Sequence, residues 1–255
     1  MIYDTDGTEA SEGPRPLAAR AWYARLTQTL TTALTAPTAE GRLYEVDLRL
    51  RPSGRQGPVA TGLESFRTYQ SEEAWTWEHL ALTRARPVAG EAALAAEVER
   101  FRRALLPEKA RGPGLRADVA DMRARLAEAK PGQGDWDAKF GPGRLMEVEL
   151  AAQTAALLSG SPEHGVEAQI AAGREAGVLS EDQARALAAA DRLFWQLQTG
   201  ARLLTGGPLT PDDLGEGARR FLLARTGEDD MDSLNARARR IADAAAGAFD
   251  RLLAS

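Results

Sequence analysis

Glu45, Asp47, Arg49 and Arg51 fall on alternate positions of residues 43–51, with Tyr44, Val46, Leu48 and Leu50 between them. Successive side chains of a β-strand point to opposite faces, so this pattern predicts a strand with one buried face and one charged face. A charged face can simply meet solvent, as antiparallel sheets commonly do. It can also present a carboxylate to a divalent cation beside arginines that hold phosphates. Mg²⁺ is a hard ion that selects oxygen ligands, and the planar guanidinium fork matches phosphate oxygens. One carboxylate does not make a two-metal site, which needs several acids around ions ~3.5–4 Å apart. Asp4 and Asp6 are acids of a polar stretch that the pattern does not place near Asp47.

A second candidate is the run Lys139-Phe140-Gly141-Pro142-Gly143-Arg144-Leu145-Met146-Glu147-Val148-Glu149-Leu150. A Gly-rich turn enters a helix that carries Glu147 and Glu149 near its start, where the helix dipole favours carboxylates. The segment lacks the Gly-Lys-Ser/Thr ending of a phosphate-binding P-loop. The two histidines, His79 and His164, are far apart and have no spaced partner, which argues against zinc. His79 beside Trp75 and Trp77 reads as a packing or hydrogen-bonding residue.

These residues need elements to hold them. Ile2 and Tyr3 read as the end of a strand. A helix is expected from Pro16 to Pro37, with Leu17, Ala21, Leu26, Leu30 and Leu34 at helical spacing. The strand at 43–51 ends at Pro52-Ser53-Gly54. Thr61 is placed to cap a short helix through Gln70, and Thr83 to Val88 is a second strand candidate. From residue 90 the composition shifts to Ala, Leu, Arg and Glu, the strong helix formers. Helices are expected at 91–106, 114–129, 143–159, 165–176, 180–204, 210–226 and 232–253, with breaks at Pro107 and at the intervening Gly and Pro clusters. The reading is α+β, with a mixed region at 1–89 and a helical bundle at 90–255.

The bulk numbers narrow the function classes. The 255 residues carry a net charge of −5, which disfavours nucleic acid as a partner. No cysteine is present, so disulfides, thiolate metal sites and a cysteine nucleophile are excluded. No apolar run reaches the ~20 residues of a membrane span, and residues 1–7 do not form a secretory signal. A cytoplasmic protein is expected.

In order along the chain, these motifs resemble the bacterial glutamine synthetase adenylyltransferase / adenylyl-removing family. Residues 35–54, Gly57-Pro58-Val59-Ala60, the run Ala74-Trp75-Thr76-Trp77-Glu78-His79-Leu80-Ala81-Leu82-Thr83-Arg84-Ala85-Arg86, and residues 139–149 carry the likeness. The wording of Arg51-Pro52-Ser53-Gly54 and Trp75 to His79 resembles the adenylylating, C-terminal half. The resemblance implies a polymerase-β-type nucleotidyltransferase domain, present here in part, followed by a helical domain. It implies transfer of AMP from ATP to a tyrosine of glutamine synthetase with Mg²⁺. Asp47 would be the metal-binding and catalytic acid, and Arg49 and Arg51 would contact phosphates. Glu45 would lie behind the metal ligand, and Lys139, Glu147 and Glu149 would join the helical domain to the cleft. A PII-type signalling protein is a further partner the resemblance implies.

Two departures stand out. The family's Gly-Ser motif and Asp-x-Asp pair would lie before Met1, so the isolated chain is expected to be inactive, with residues 1–88 looser than the bundle. Arg144 stands where many members have Gly, and Glu147 where many have Asp. The competing class is a non-catalytic module in which residues 90–255 dock glutamine synthetase or its regulator.

Overall fold

Helix-forming residues dominate the second part of the sequence, and helices dominate the computed structural model. It describes residues 1–5, 7–42, 44–48, 57–206 and 209–254. Two units emerge: Met1–His79 with Arg86–Leu105, and Leu80–Ala85 with Leu106–Ser255. The composition changes near residue 90, whereas the structural division falls within two helices, near residues 79 and 105. No helix among the described residues is long and apolar enough to cross a membrane.

In the first unit, strand β1 (Ile2–Tyr3) pairs in parallel with β4 (Thr61–Gly62), and β2 (Pro37–Thr38) forms an antiparallel pair with β3 (Gly41–Arg42). Helix α1 (Ala19–Thr35) packs Tyr23 on Tyr3 with stacked rings 4.2 Å apart. Its Trp22, Leu26 and Leu30 form an exposed apolar stripe. Helix α2 (Leu63–Glu72) is followed by α3 (Thr76–Thr83) and α4 (Ala92–Lys109). Phe66 of α2 meets Phe101 of α4 edge-on at 5.8 Å, and Arg67 bridges Glu64 and Glu97 at 2.6 and 2.8 Å.

Several expectations for this unit are corrected. Residues 44–48 of the expected 43–51 strand have no regular structure, and the rest of that strand lies outside the described residues. Alternation makes an amphipathic ribbon but does not itself supply a ladder partner, on which a short strand depends. Thr61 does not cap α2. It pairs with Ile2, and Gly62 occupies the cap position without a side-chain bond. The expected strand at 83–88 is also absent: Thr83 ends α3, and 84–88 are irregular. Glu78 explains the helix, because its carboxylate accepts the Trp75 N–H at 3.0 Å and the Tyr69 hydroxyl at 2.9 Å. Pro107 does not end α4, which runs on to Lys109.

The second unit follows the sequence closely except at 210–226, expected as one helix and broken at Leu214-Gly215: α5 (Leu115–Ala129), α6 (Leu145–Ser159), α7 (Val166–Glu175), α8 (Glu181–Thr205), a 3₁₀ turn (Pro211–Asp213), α9 (Glu216–Thr226) and α10 (Met231–Ala254). Helix α6 is the hub. Val148, Ala151, Ala152, Ala155, Ala156 and Leu157 are all fully buried, which is the signature of a helix covered on every side. Gly173 of α7 lets that helix approach closely, since a Cβ there would lie 2.8 Å from the Ala155 methyl. Ser180 and Gln183 form a reciprocal capping box at the start of α8, and the Gln183 amide also donates to the Ala248 carbonyl of α10 at 3.1 Å.

Candidate functional site

Asp47, Glu45, Arg49 and Arg51 are the residues expected to meet metal and phosphate. Glu45 and Asp47 are exposed on the irregular stretch 44–48. Arg49 and Arg51 lie outside the described residues. Among the described residues no three His, Cys, Asp or Glu side chains gather closely enough to hold a metal ion. The residues described here therefore supply one candidate acid, Asp47, and do not by themselves fit a two-Mg²⁺ site. His79 is buried and donates from Nε2 to the Gln70 carbonyl at 3.0 Å, which fixes α3 to α2.

The Gly-rich run is held far more firmly. Asp137 accepts the backbone N–H groups of Gln133, Lys139 and Phe140 at 2.9–3.0 Å, which folds the loop. The Lys139 ammonium is 5.2 Å from the Phe140 ring centre, a cation–π contact. Gly143 adopts φ +65°, and a Cβ there would lie 1.9 Å from the Ala242 carbonyl oxygen of α10. Glu147, in the first turn of α6, reaches back to accept the Gly143 N–H at 2.8 Å. Its two oxygens also receive Arg123 of α5, from Nε at 2.6 Å and Nη2 at 3.0 Å. Arg123 further pairs with Asp250 and lies 4.7 Å over the Phe249 ring, both on α10. Burial works against the Arg123 cation, but the hydrogen bonds from Glu147 and Asp250 outweigh it and raise its pKa. Glu147 thus ties three helices and the loop together. Glu149 pairs with Arg84 at 2.9 Å.

Arg144 is buried with its guanidinium 4.6 Å over the Phe194 ring, at the edge of a cleft of about 590 Å³ beside Phe140, Arg239 and Asp243. Burial lowers its pKa, and Asp135, Asp137 and Asp243 oppose that shift. Arg239 adds to the effect of burial, and the buried Arg144 Nη1 has no hydrogen-bond partner among the described residues.

Sequence reasoning missed Arg123 and Asp191, each a single charge set on an apolar stripe. Arg123 continues the buried stripe Leu115–Val119, and Asp191 interrupts the stripe Leu187, Phe194 and Leu197. Asp191 is buried, and its Oδ1 has no hydrogen-bond partner among the described residues. Burial first, then Glu167 of α7 and Glu149 of α6, push its carboxyl up to about 6 from 3.8, with Arg192 opposing. A raised carboxyl pKa means that the folded state holds a proton the unfolded chain releases. Stability therefore falls as pH rises from about 4 to about 6 and stays reduced above that. Asp191→Asn is expected to match the parent near pH 4 and to be more stable at pH 7.5 by on the order of 1–3 kcal/mol. Urea titrations across this window check it, and parallel curves for the two proteins would refute it.

Residues 1–101 match the family described as glutamate-ammonia ligase adenylyltransferase. The chain is 40% identical over 257 residues to the bifunctional glutamine synthetase adenylyltransferase/adenylyl-removing enzyme of Mesorhizobium japonicum, covering 99% of this chain and 26% of the relative. It is 44% identical over 232 residues to the enzyme of the same description from Xanthobacter autotrophicus, covering 89% and 23%. For the Rhizobium meliloti enzyme the identity is 40% over 265 residues, covering 100% and 27%. The chain spans about a quarter of the length of these curated relatives.

Proposed function

From a chain that matches a segment of the glutamate-ammonia ligase adenylyltransferase family, we propose a part in AMP transfer from ATP to a tyrosine of glutamine synthetase. The observation that carries this reading is about 40% identity across nearly the whole chain to enzymes that bear that description. The segment corresponds to the adenylylating half, with residues 1–89 as part of the nucleotidyltransferase domain and 90–255 as its helical domain.

In this reading Asp47 is one of the acids that hold Mg²⁺, which when bound neutralises charge on the transferring phosphate. Arg49 and Arg51 orient the phosphates, and Glu45 flanks the metal ligand. Exposure of Asp47 suits a residue that meets a nucleotide and a protein substrate at an open surface. The Gly-rich loop, with Lys139, and Glu147 and Glu149 at the start of α6 belong to the helical domain. We expect the 255 residues alone to transfer little AMP, since one candidate acid, Asp47, does not hold two ions.

The second reading, docking without catalysis, rests on the well-packed helices of the second unit. One experiment addresses both. The chain is incubated with glutamine synthetase, Mg²⁺ and ATP labelled at the α-phosphate, and binding is measured in parallel by co-sedimentation. Binding without label transfer is the expected result. Robust transfer that Asp47→Asn abolishes would overturn the inactivity of the segment, and absence of binding would remove glutamine synthetase as its partner.

A further inference from the structure

Helices α8 and α9 meet at Gly200. A Cβ there would lie 2.5 Å from Leu222 Cδ2, so the glycine brings the two helices close and leaves a groove above the contact. Below it the helices are sealed by Ala201, Leu209, Leu214 and Leu222. Above it the groove, of about 330 Å³, is walled by Trp195 and Leu203 of α8 and by Phe221 of α9. These three are 55%, 72% and 40% exposed. Large apolar residues are common on surfaces singly, but three along one groove form a patch of the kind that marks an interaction site.

The rim decides what kind of partner fits. On α8, Arg192 is seven residues before Thr199 and Arg202 seven after Trp195, which places both on the groove side of the helix. Arg225 of α9 lines the groove itself. Arg202 and Arg225 make no ion pair among the described residues, and Arg192 reaches Glu167 only at 3.8 Å. Of the acids on these helices and just after them, Asp191 is buried, Glu216 holds Arg220 at 2.9 Å, and Glu228 holds Arg237 at 2.9 Å; none of them lines the groove. The groove is therefore an apolar strip with a positive border on a chain whose net charge is −5.

We propose that this groove docks an amphipathic helix of a partner protein, with aliphatic side chains on one face and glutamates or aspartates flanking them. Trp195 to Leu203 spans about 12 Å along α8, so the groove takes two turns of a helix and reads anchors at i, i+3/i+4 and i+7. The acidic flanks meet Arg192, Arg202 and Arg225, which sets orientation and speeds encounter. A second copy of this chain is a poor occupant, because a two-fold contact through this face would set arginines against arginines.

The test uses the whole chain and a fluorescein-labelled helical peptide of about five turns. The peptide has one leucine stripe and glutamate flanks, and the control has the same stripe with lysine flanks. Anisotropy titrations are expected to show at least tenfold tighter binding of the acidic peptide, weakening as salt rises. Leu203→Asp should weaken it at least tenfold, and Arg225→Glu should reduce the preference for the acidic peptide. Both sites are exposed, so unchanged circular dichroism melting curves will show that the fold is intact. Equal affinity for the two peptides, or binding that survives Leu203→Asp, would overturn the proposal. So would a dimer in sedimentation that Leu203→Asp dissolves, or an RNA oligonucleotide that displaces the acidic peptide.

Discussion

Gly143→Ala is expected to destabilise the helical unit by about 3–4 kcal/mol, enough to lower its melting temperature by roughly 10 °C. Two costs add. At φ +65° a Cβ crowds its own backbone, and it would sit 1.9 Å from the Ala242 carbonyl oxygen. That oxygen belongs to the backbone of α10, so a rotamer change cannot relieve the clash. The loop or the helix must move, and the Gly143 N–H bond to Glu147 would be lost with it. Gly217→Ala in α9 is the control: nothing lies within 4 Å of its Cβ position, and its backbone is helical. It should be neutral or gain up to about 1 kcal/mol from helix propensity. Thermal melts followed at 222 nm compare the two. Similar small effects would mean that α10 does not hold the loop as described.

What the sequence made legible follows from the physics of each element. Helices depend on local periodicity, caps and breakers, so those of the second unit other than 210–226 were read to within a few residues; Ser180 and Gly160 mark ends that the structure keeps. Strands depend on partners elsewhere in the chain. Residues 43–51 showed the alternation of a strand, but 44–48 do not form one, and the short strands that do form pair residue 2 with 61 and 37 with 42. Residues 75–82 were not read as a helix, because Trp75, Trp77, Leu80 and Leu82 suggest no clean helical face. The Glu78 carboxylate, bound to the Trp75 N–H and Tyr69, starts that helix. For the site, Glu147 was legible as a first-turn acid. Its partner Arg123 was not, since a long side chain on an apolar stripe is ambiguous between a core error and a buried pair. Apolar stripes interrupted by a single charge are the places to look for such pairs.

Glu147→Ala is expected to cost about 3 kcal/mol, and the comparison with Asp250 shows why. Both carboxylates bind Arg123, but Glu147 is 13% exposed and Asp250 65% exposed. Removing Asp250 leaves Arg123 paired with Glu147, and water takes the vacated place, so Asp250→Asn should cost less than about 1 kcal/mol. Removing Glu147 takes away both hydrogen bonds of the fork and the acceptor for the Gly143 N–H. Arg123, itself only 18% exposed, then keeps one solvent-exposed partner and the face of Phe249. Glu147→Gln retains size and the acceptor oxygen but loses the charge, and should fall between, at about 1–2 kcal/mol. Urea midpoints at constant slope measure all three. The ordering Ala, then Gln, then Asp250→Asn distinguishes a buried brace from a surface ion pair. Equal costs for the Glu147 and Asp250 variants would place the stabilisation in the helix packing rather than in the charge. A brace of this kind also explains why a Gly-rich turn without the Gly-Lys-Ser/Thr ending of a P-loop is nonetheless built with such tight tolerances: it fixes where α6 begins, and with it the helix around which the unit is packed.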